Sequence, residues 1–424
     1  MTSAPQTGPP RGRREPEDLI KRPVENAGDP RHVRCGQYSV FFIERLTDLG
    51  AHTDAWSRLA SSVPHTNVFY SPTFLAANLA HIEQRPFVVL FIYHEPMSGR
   101  GRTLIAVVPF AVASPSIRRP FIHLTGLTNR YSYDSSPLVD PAFVEAAWSV
   151  LFRVLQEPTQ PWRFADVVVE PESEGLELLL AQGAATSRAI SCRRGRERAW
   201  LLKPLSFEEF IQRFGSDAWR GHRRRLRQLG ELGKVELRVR RQYNDVAAVL
   251  GDFLALELSG WKGSEGTAMA CEERDVEFLH RVAREFNNNA GLFYVELRLY
   301  DRLIGGSLSH TSGATLSAFK MAYDDAFARY SPGTIVALET IRAFIEDPHL
   351  SDANAGVSTD SWAARFFVDE RQPYWFGVPT RRPLPVAFSW GLKCYHAVRR
   401  VISKSASVPR GRSARRAGVN RRET

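Results

Sequence analysis

The residue pattern best suited to chemistry is a glycine-containing turn, Tyr330-Ser-Pro-Gly333, between a predicted strand and a predicted helix. The first N–H groups of a helix lack internal acceptors, and the helix dipole adds partial positive charge at that end. Pro332 and Gly333 permit a sharp turn and bring bare backbone close to a ligand. A phosphate or diphosphate fits such a place. The alternative is an ordinary connection between a strand and a helix.

Five side chains are candidates for a general base, the group that accepts a proton during catalysis. They are Glu257, His310, Asp324, Asp325 and Asp360. Glu257 ends a predicted helix, where a surface carboxylate is the alternative. Asp324 and Asp325 follow a predicted strand and could equally be turn residues. His310 lies within a predicted strand, where core packing is the alternative.

Three further side chains could contact a ligand. Lys320 follows Phe319 in a predicted strand and either faces a cleft, where it would meet an anionic ligand, or points to solvent. Trp261 and Lys262 lie in a glycine-flanked loop. Trp261 either stacks on a ligand or packs over the sheet as part of a lid.

Five arginines lie close together on one predicted helix, at Arg220, Arg223, Arg224, Arg225 and Arg227. Three interpretations are open. The arginines could grip phosphate groups, form a solvated helix face, or pair with acids such as Glu231 and Glu236.

The elements that must position these residues fall into two halves. In the first half, apolar runs predict strands and helical patterns lie between them, which favours an α/β or α+β layer. The predicted strands are Tyr38–Ile43, Phe87–Tyr93, Leu104–Phe110 and Ala165–Val169, and the predicted helices are Ser71–His81 and Ala142–Gln156. The polar and aromatic segment Thr128–Pro137 is interpreted as a surface loop.

The second half contains the most regular pattern, a three-strand antiparallel meander with tight turns over Leu292–Tyr300, Leu303–Thr311 and Thr315–Tyr323. A capping box at Ser206 predicts a helix to Phe214. The other predicted elements are helices at Trp219–Leu232, Asn244–Leu258, Glu273–Phe286 and Ile335–Ile345, and strands at Val235–Arg240 and Ala355–Thr359.

These residues in combination resemble a known family. The runs are Ser259-Gly-Trp-Lys-Gly, Gly291-Leu-Phe-Tyr-Val-Glu-Leu, Leu303-Ile-Gly-Gly-Ser, Ala318-Phe-Lys-Met-Ala-Tyr-Asp-Asp and Tyr330-Ser-Pro-Gly. They resemble the FemAB-like branch of the GNAT acyltransferases and, more narrowly, the CelD/BioF2-like acetyltransferase domain. The resemblance covers residues 207–371, and the first half matches only in outline. It implies an α/β (α+β) fold of two GNAT-like lobes in tandem, each a mixed, mostly antiparallel sheet flanked by helices.

The resemblance also implies an activity: transfer of an acyl group, usually acetyl from acetyl-CoA, to an amine or hydroxyl. The family name links it to cellulose and exopolysaccharide biosynthesis, and aminoacyl-tRNA is the donor in the peptidoglycan branch of the same fold. The strands of this family diverge near the phosphate loop, so that one edge can pair with the pantetheine arm of CoA. Thr315–Tyr323 is the strand assigned to that role.

Site residues follow from the resemblance. The acyl-CoA contacts are expected at Lys320, Met321, Ala322, Tyr323, Arg329, Tyr330, Ser331, Pro332, Gly333 and Thr334. The turn lacks the first glycine of the family pattern Arg/Gln-x-x-Gly-x-Gly/Ala. The acceptor contacts are expected at Trp261, Lys262, Trp362 and Arg365, the catalytic candidates are Glu257 and Asp324, and no metal is expected.

Length, charge and composition indicate how the chain is divided into domains and tails. The chain has 424 residues and a net charge of +10, of which seven basic residues and one acid lie in 401–424. We expect disordered segments at 1–36 and 403–424, an N-terminal degenerate GNAT-like lobe at 37–199 and a C-terminal GNAT lobe at 200–402. The basic tail could touch RNA, DNA or anionic lipid, or be a solvated tail that aids solubility.

Four widely spaced cysteines, no apolar signal segment and no apolar run near 20 residues predict a cytoplasmic protein without a transmembrane helix. The expected partner is a small-molecule acceptor, with no specific nucleic acid, and the oligomeric state is open. Two other functions are weighed: a non-catalytic scaffold or regulator of polysaccharide assembly, and a tRNA-dependent aminoacyl transferase.

Overall fold

The computed structural model describes residues 31–63, 67–96, 101–116, 119–170, 190–359, 361–381, 383, 385–387 and 391. Sixteen strands occur in this part of the chain. They are β1 (His32–Cys35), β2 (Tyr38–Ile43), β3 (Phe87–His94), β4 (Thr103–Ala113), β5 (His123–Gly126), β6 (Leu138–Val139), β7 (Phe164–Val169), β8 (Ser191–Arg194), β9 (Arg198–Leu202), β10 (Val235–Arg240), β11 (Leu292–Leu299), β12 (Arg302–Ser312), β13 (Thr315–Tyr323), β14 (Asp352–Ser358), β15 (Asp369–Arg371) and β16 (Tyr374–Pro379).

The α-helices of the described residues follow the amphipathic segments of the sequence. They are α1 (Thr53–Ser62), α2 (Pro72–His81), α3 (Val144–Gln156), α4 (Phe207–Phe214), α5 (Ser216–Gly230), α6 (Val246–Ser259), α7 (Trp261–Ser264), α8 (Glu273–Asn288) and α9 (Pro332–Glu346). Side-chain caps begin several of them, because Ser71, Ser206 and Asp245 each accept a hydrogen bond from a first-turn N–H. One half of the predicted capping box forms, since the Ser206 hydroxyl accepts from the N–H of Glu209, whereas the Glu209 carboxylate accepts from the N–H of Leu205 and not from that of Ser206.

Two sheets carry the fold. The nine-stranded sheet has the order β1-β2-β3-β4-β5-β7-β16-β8, with β6 beside β4, and the seven-stranded sheet has the order β10-β11-β12-β13-β14-β9-β15. All pairs are antiparallel except β5 with β7 and β13 with β14. Along the chain, a helix separates the two strands of each parallel pair. This helix is α3 in the nine-stranded sheet and α9 in the seven-stranded sheet. Each sheet with its helices is one GNAT-like lobe, so the mixed α/β tandem architecture predicted from the sequence is confirmed.

The largest apolar cluster joins the two lobes. It contains side chains of α1, α2, β3 and β4 from the first lobe and of α6, α8, β11 and β12 from the second. Phe74 of α2 meets Phe278 of α8 edge-on, with ring centroids 5.3 Å apart. Separate clusters pack α3 on the far face of the first sheet and α9 on the far face of the second. The face of the second sheet that looks toward the first lobe is therefore part of a shared core.

The structure differs from the predicted lobe boundaries in three places. Strand β1 lies within the segment 1–36 and pairs with β2. The boundary at 199/200 falls inside β9, which pairs with β14. Strand β16, from the predicted C-terminal lobe, pairs with β7 and β8 in the first sheet. The chain thus crosses between the sheets twice. A single boundary in the sequence therefore cannot separate the two lobes. Residues 403–424 lie outside the described part of the chain.

No helix in the described ranges is long and apolar enough to cross a bilayer.

Candidate active site

Strands β13 and β14 diverge after a short parallel pairing. They pair only at Thr315–Ser317 with Asp352–Asn354. Within the described residues, β14 makes no pair with Ala318–Tyr323, so that edge of β13 is open. This is the divergence that the resemblance implies for the strand before the phosphate loop.

A β-bulge in β13 turns two neighbouring side chains toward the first lobe. Leu308 of β12 lies opposite Lys320 and Ser309 lies opposite Ala318, so Phe319 is the additional residue. The ring of Phe319 packs against the apolar cluster between the lobes, and the amine of Lys320 lies beside a buried carboxylate. The structure therefore directs Lys320 into the space between the lobes, and its side chain is 16% exposed.

Glu257 of α6 is the centre of a buried charge cluster. Its Oε1 lies 2.9 Å from Nζ of Lys262 and 3.7 Å from Nζ of Lys320, and its Oε2 accepts the N–H of Met269 at 2.9 Å. Burial would raise the pKa of Glu257, but the two lysines and the Met269 N–H outweigh it and hold that pKa below its ordinary value. Glu257 is thus an ionised anchor for two amines rather than the surface carboxylate considered as its alternative.

The two lysines of this cluster make different contacts. Nζ of Lys262 also donates to the carbonyl of Met321 at 2.8 Å, which ties α7 to the open edge of β13. Lys320 reaches Glu257 only as an ion pair at 3.7 Å, and its amine lies 4.8 Å from the ring centroid of Tyr131. Burial, and next the nearby Lys262, lower the pKa of Lys320, which Glu257 counteracts in part.

The first lobe contributes directly to this cluster through residues 128–137, which we name the interlobe loop. The Tyr131 hydroxyl donates to Oδ2 of Asp275 at 2.5 Å, and Arg130 binds the other carboxylate oxygen. Tyr131, Ser132 and Asp134 are all buried. The prediction of a surface loop is therefore wrong, because this segment packs between the lobes and satisfies its polar groups there.

A second tyrosine of the interlobe loop reaches the point where β13 and β14 separate. The Tyr133 hydroxyl donates to the carbonyl of Ala318 at 3.0 Å. Its ring lies against Gly356 of β14. The open edge of β13 is therefore bounded by Tyr133 at one end and leads toward the start of α9 at the other.

The turn at Arg329–Thr334 has fewer free amides than a phosphate cradle needs. A 3₁₀ turn covers Asp325–Tyr330, and Ser331 follows in the left-handed region with φ +53°. The Ser331 N–H donates to Ala328 and the Thr334 N–H to Ser331, at 2.9 and 3.0 Å. Pro332 has no N–H, which leaves the N–H of Gly333 without an acceptor in the described residues. Gly333 is buried beneath Tyr323.

Arginines supply the positive charge at this turn. Nη2 of Arg365 donates to Oγ1 of Thr334 at 3.0 Å, and the guanidinium of Arg329 lies 4.6 Å from the ring centroid of Tyr330. Burial, and next the neighbouring Arg225 of α5, lower the pKa of Arg365. Arg365 thus lies at the start of α9, where Arg225 acts on it electrostatically, and Arg329 lies in the preceding turn. This basic end of the helix suits an anion.

The remaining arginines of α5 do not pair with Glu231 or Glu236 in the described structure. Arg223, Arg224 and Arg227 are exposed, and Glu236 pairs with Lys234 and Arg238 instead. Arg220 pairs with Asp217 in the first turn of the same helix. The helix therefore combines one ion pair within the helix with a solvated basic face.

The other predicted site residues make no hydrogen bond or ion pair with Glu257 in the described part of the chain, although the ring of Trp261 lies 6.0 Å from the amine of Lys262. Asp324 accepts the N–H of Ala326 and binds Arg302, so it caps the 3₁₀ turn. His310 is fully buried among aromatic rings. The side chain of Trp261 is 50% exposed. Asp360 and the side chain of Trp362 lie outside what the structure describes.

Sequence reasoning did not identify Tyr131, Tyr133 or Asp275. The signal available was the pair of tyrosines within a polar loop, since aromatic rings rarely lie in solvent without a partner. No group of His, Cys, Asp and Glu in the described residues is arranged to hold a metal ion.

Comparisons with known proteins concern the family and the fold. Residues 216–362 match the family model of the acetyltransferase (GNAT) domain. The matched span contains β13, the Arg329–Thr334 turn and α9, and it supports acyl transfer with an acyl-CoA co-substrate as the general activity. No match to the chain was found among curated proteins.

Several solved structures are similar in fold. FemX has 11% sequence identity and a TM-score of 0.51, over 80% of this chain and 98% of FemX. A tandem GNAT protein from the clavulanic acid biosynthesis pathway has 12% identity and a TM-score of 0.36, over 80% of this chain and 98% of that one. A GCN5-related N-acetyltransferase from Sphaerobacter thermophilus has 10% identity and a TM-score of 0.31, over 82% and 98%. At 11% identity the likeness to FemX concerns the fold alone.

Proposed function

We propose that the protein transfers an acyl group, in the simplest case acetyl, from acyl-CoA to an amine or hydroxyl acceptor that enters between the two lobes. The observation that carries this proposal is the open edge of β13, which runs from the start of α9 to the Lys320 cluster. An extended pantetheine arm has amide groups that can pair with such an edge in the manner of an added strand. The resemblance to the CelD/BioF2-like domain favours an acceptor from exopolysaccharide, cellulose or cell-envelope biosynthesis.

The anionic part of the donor would lie at the start of α9. Arg365, which binds Thr334, would hold a diphosphate together with Arg329 of the same turn. In this proposal guanidinium groups carry most of the anion binding, because the neighbouring amides are already hydrogen-bonded.

The reaction would be direct attack of the acceptor on the thioester carbonyl, with loss of the acceptor proton. Lys320 is the group best placed to take that proton, because its amine is partly accessible and its neutral form is favoured by burial. Glu257 would act by positioning Lys320 and Lys262, since both of its oxygens are occupied. Asp324, with its capping role, has no part in this scheme.

A binding experiment tests the proposal without knowledge of the acceptor. Acetyl-CoA should raise the thermal unfolding temperature of the wild type, and Arg365→Glu should abolish that stabilisation. Arg284→Glu, at an exposed site on α8, is the control for the same charge change. If no acyl-CoA of any chain length stabilises the wild type, the acyl-CoA proposal is wrong, and the scaffold and the aminoacyl-tRNA transferase are the two alternatives that stand.

A second candidate is aminoacyl transfer from a charged tRNA. The exposed face of Arg223, Arg224 and Arg227 favours it, because arginines accessible to solvent suit a phosphate backbone. It predicts binding of aminoacyl-tRNA that weakens steeply with salt, together with no response to acetyl-CoA.

A further inference from the structure

Tyr133 occupies the apex where β13 and β14 separate, although it belongs to the other lobe. The last pair between the two strands is Ser317 with Asn354. One residue later, the carbonyl of Ala318 accepts the Tyr133 hydroxyl at 3.0 Å. Two residues beyond Asn354, a Cβ added at Gly356 would lie only 2.5 Å from Cε1 of Tyr133. The ring therefore lies between the two backbones, in the place where a further strand pair would form.

Gly356 is adapted to this ring. Its φ is +71°, a conformation that favours glycine, and its missing side chain makes the close approach possible. The N–H of Gly356 donates to Oδ1 of Asn354, which holds the local turn. Strand β14 thus bends away from β13 around the tyrosine.

The first lobe holds Tyr133 rigidly. Phe69 meets its ring edge-on, with centroids 4.3 Å apart. The next residue, Asp134, accepts the N–H and the hydroxyl of Ser136 and lies 3.4 Å from Nη1 of Arg198. Because Asp134 and Arg198 are both largely buried, this anchor is shielded from water. The ring is a fixed wall rather than a mobile side chain.

We infer that Tyr133 limits the length of the acyl group that the donor can carry, and that the site accepts short acyl chains. This inference rests on the proposed function. A donor arm that starts at the arginines of α9 and follows the open edge of β13 reaches Ala318, and there it meets the Tyr133 ring. The thioester end would lie near Lys320, with the Tyr133 ring across the path of a long acyl chain. The first lobe thereby sets the donor specificity of the second.

The test compares binding of unacylated CoA, acetyl-CoA, hexanoyl-CoA and octanoyl-CoA to the wild type, Tyr133→Phe, Tyr133→Leu and Tyr133→Ala. Wild type and Tyr133→Phe, which keeps the ring, should bind acetyl-CoA at least tenfold more tightly than octanoyl-CoA. Tyr133→Ala and Tyr133→Leu should lose that preference, while the Kd of unacylated CoA stays the same in every variant. Tyr133→Leu retains apolar contact with Phe69 and serves where Tyr133→Ala does not fold.

The possible outcomes distinguish a failure of the role of Tyr133 from a failure of the proposed acyltransferase function. If the wild type binds acetyl-CoA and the chain-length preference is unchanged in Tyr133→Ala and Tyr133→Leu, only the role of Tyr133 is overturned. The same holds if the wild type binds octanoyl-CoA as tightly as acetyl-CoA. If the wild type binds neither CoA nor any thioester, the proposed function itself is overturned.

Discussion

The hydroxyl of Tyr131 in the first lobe donates a hydrogen bond of 2.5 Å to Oδ2 of Asp275 in α8 of the second lobe. Asp275 is only 1% exposed, and Arg130 binds its other oxygen. The Tyr131 ring lies between two second-lobe groups, stacked on Phe278 and facing the amine of Lys320. One side chain thus joins the lobe interface to the candidate active site.

Tyr131→Phe should lower the free energy of unfolding by about 2 kcal/mol, because a hydrogen bond to a buried carboxylate is lost. Urea unfolding measures this change. Tyr300→Phe is the matched control, since Tyr300 is 60% exposed and should leave the midpoint unchanged. Equal midpoints for Tyr131→Phe and the wild type would show that the interlobe hydrogen bond does not contribute.

Glu257→Gln should destabilise the fold by about 3 kcal/mol, because it leaves Lys262 and Lys320 without a counter-charge. The pKa of Glu257 is held below its ordinary value. Its contribution is therefore complete above the unfolded-state pKa and is lost as pH falls through the folded-state pKa. The gap between wild type and variant should narrow in acid.

Glu346→Gln is the control for this change. Glu346 is exposed and pairs with Arg342 one helical turn away, an arrangement worth only about 0.3–0.5 kcal/mol. If both variants lose the same small amount in urea unfolding, the Glu257 cluster does not stabilise the fold.

The sequence predicts most elements of this fold because their patterns are local. Strand Tyr38–Ile43 and strand Thr315–Tyr323 have the predicted bounds. Helix α9 begins three residues before its predicted start, because Pro332 is well suited to the first helical turn. Apolar periodicity and turn residues within one element are sufficient for such predictions.

Contacts between residues that are far apart in the sequence cannot be predicted from such local patterns. Tyr131 and Asp275 are 144 residues apart in the chain, and the interlobe loop, apart from its two tyrosines, has the polar composition of a surface loop. The placement of β16 in the first sheet depends on its pairing with β7, more than 200 residues earlier. Tertiary contacts decide both, so they require the structure.

Some features of the candidate site could likewise be predicted from the sequence, and others required the structure. Glu257, Lys262 and Lys320 are recognisable as charged residues beside predicted strand and loop boundaries, and the structure brings them together. The expected free amides at the turn are mostly used, because the left-handed Ser331 lets the chain satisfy them locally. That conformation is a property of backbone angles, which residue types alone do not specify.

Lys320→Met should reduce acetyl-CoA hydrolysis, with water in place of the acceptor, by roughly 100-fold, the size expected for loss of a general base. The wild-type rate should fall as pH falls below the lowered pKa of Lys320, because the amine becomes protonated and can no longer accept a proton. The variant should lack this acid limb.

Two further variants make that test specific. Lys320→Arg keeps the positive charge but should be as slow as Lys320→Met, since a guanidinium remains protonated. Lys234→Met, at an exposed lysine, should hydrolyse acetyl-CoA at the wild-type rate. Full activity of Lys320→Arg would rule out the base and leave Lys320 with a purely electrostatic role.

Ala290→Gly should raise the free energy of unfolding by about 0.5–1 kcal/mol. Ala290 follows α8 with φ +53°, a left-handed conformation that costs an L-residue about 1 kcal/mol and that glycine adopts readily. Ala255→Gly is the matched control, because Ala255 is an exposed residue within α6. The same substitution there should lower stability by about 1 kcal/mol. Changes of the same sign at both positions would contradict the strain argument.

His310→Leu should make the protein more resistant to acid. The ring of His310 is fully buried and stacks on Phe286, with Phe319 and Phe74 nearby. Neither ring nitrogen has a hydrogen-bond partner in the described residues. A leucine of similar volume removes this unsatisfied polar group, which should add about 1 kcal/mol of stability at pH 7.

The pH dependence of the stability difference between wild type and His310→Leu tests this prediction more specifically than the difference at pH 7 alone. Burial lowers the pKa of His310 from 6.5 to about 3. Between these values the unfolded chain binds a proton that the folded chain does not, so wild-type stability falls by up to about 1.4 kcal/mol per pH unit below 6.5. At pH 5 the advantage of His310→Leu should therefore have grown by about 2 kcal/mol. Urea unfolding at pH 7, 6 and 5 measures it, with the exposed His349→Leu as control. An advantage that does not change with pH would mean that His310 is protonated or solvated in the folded protein.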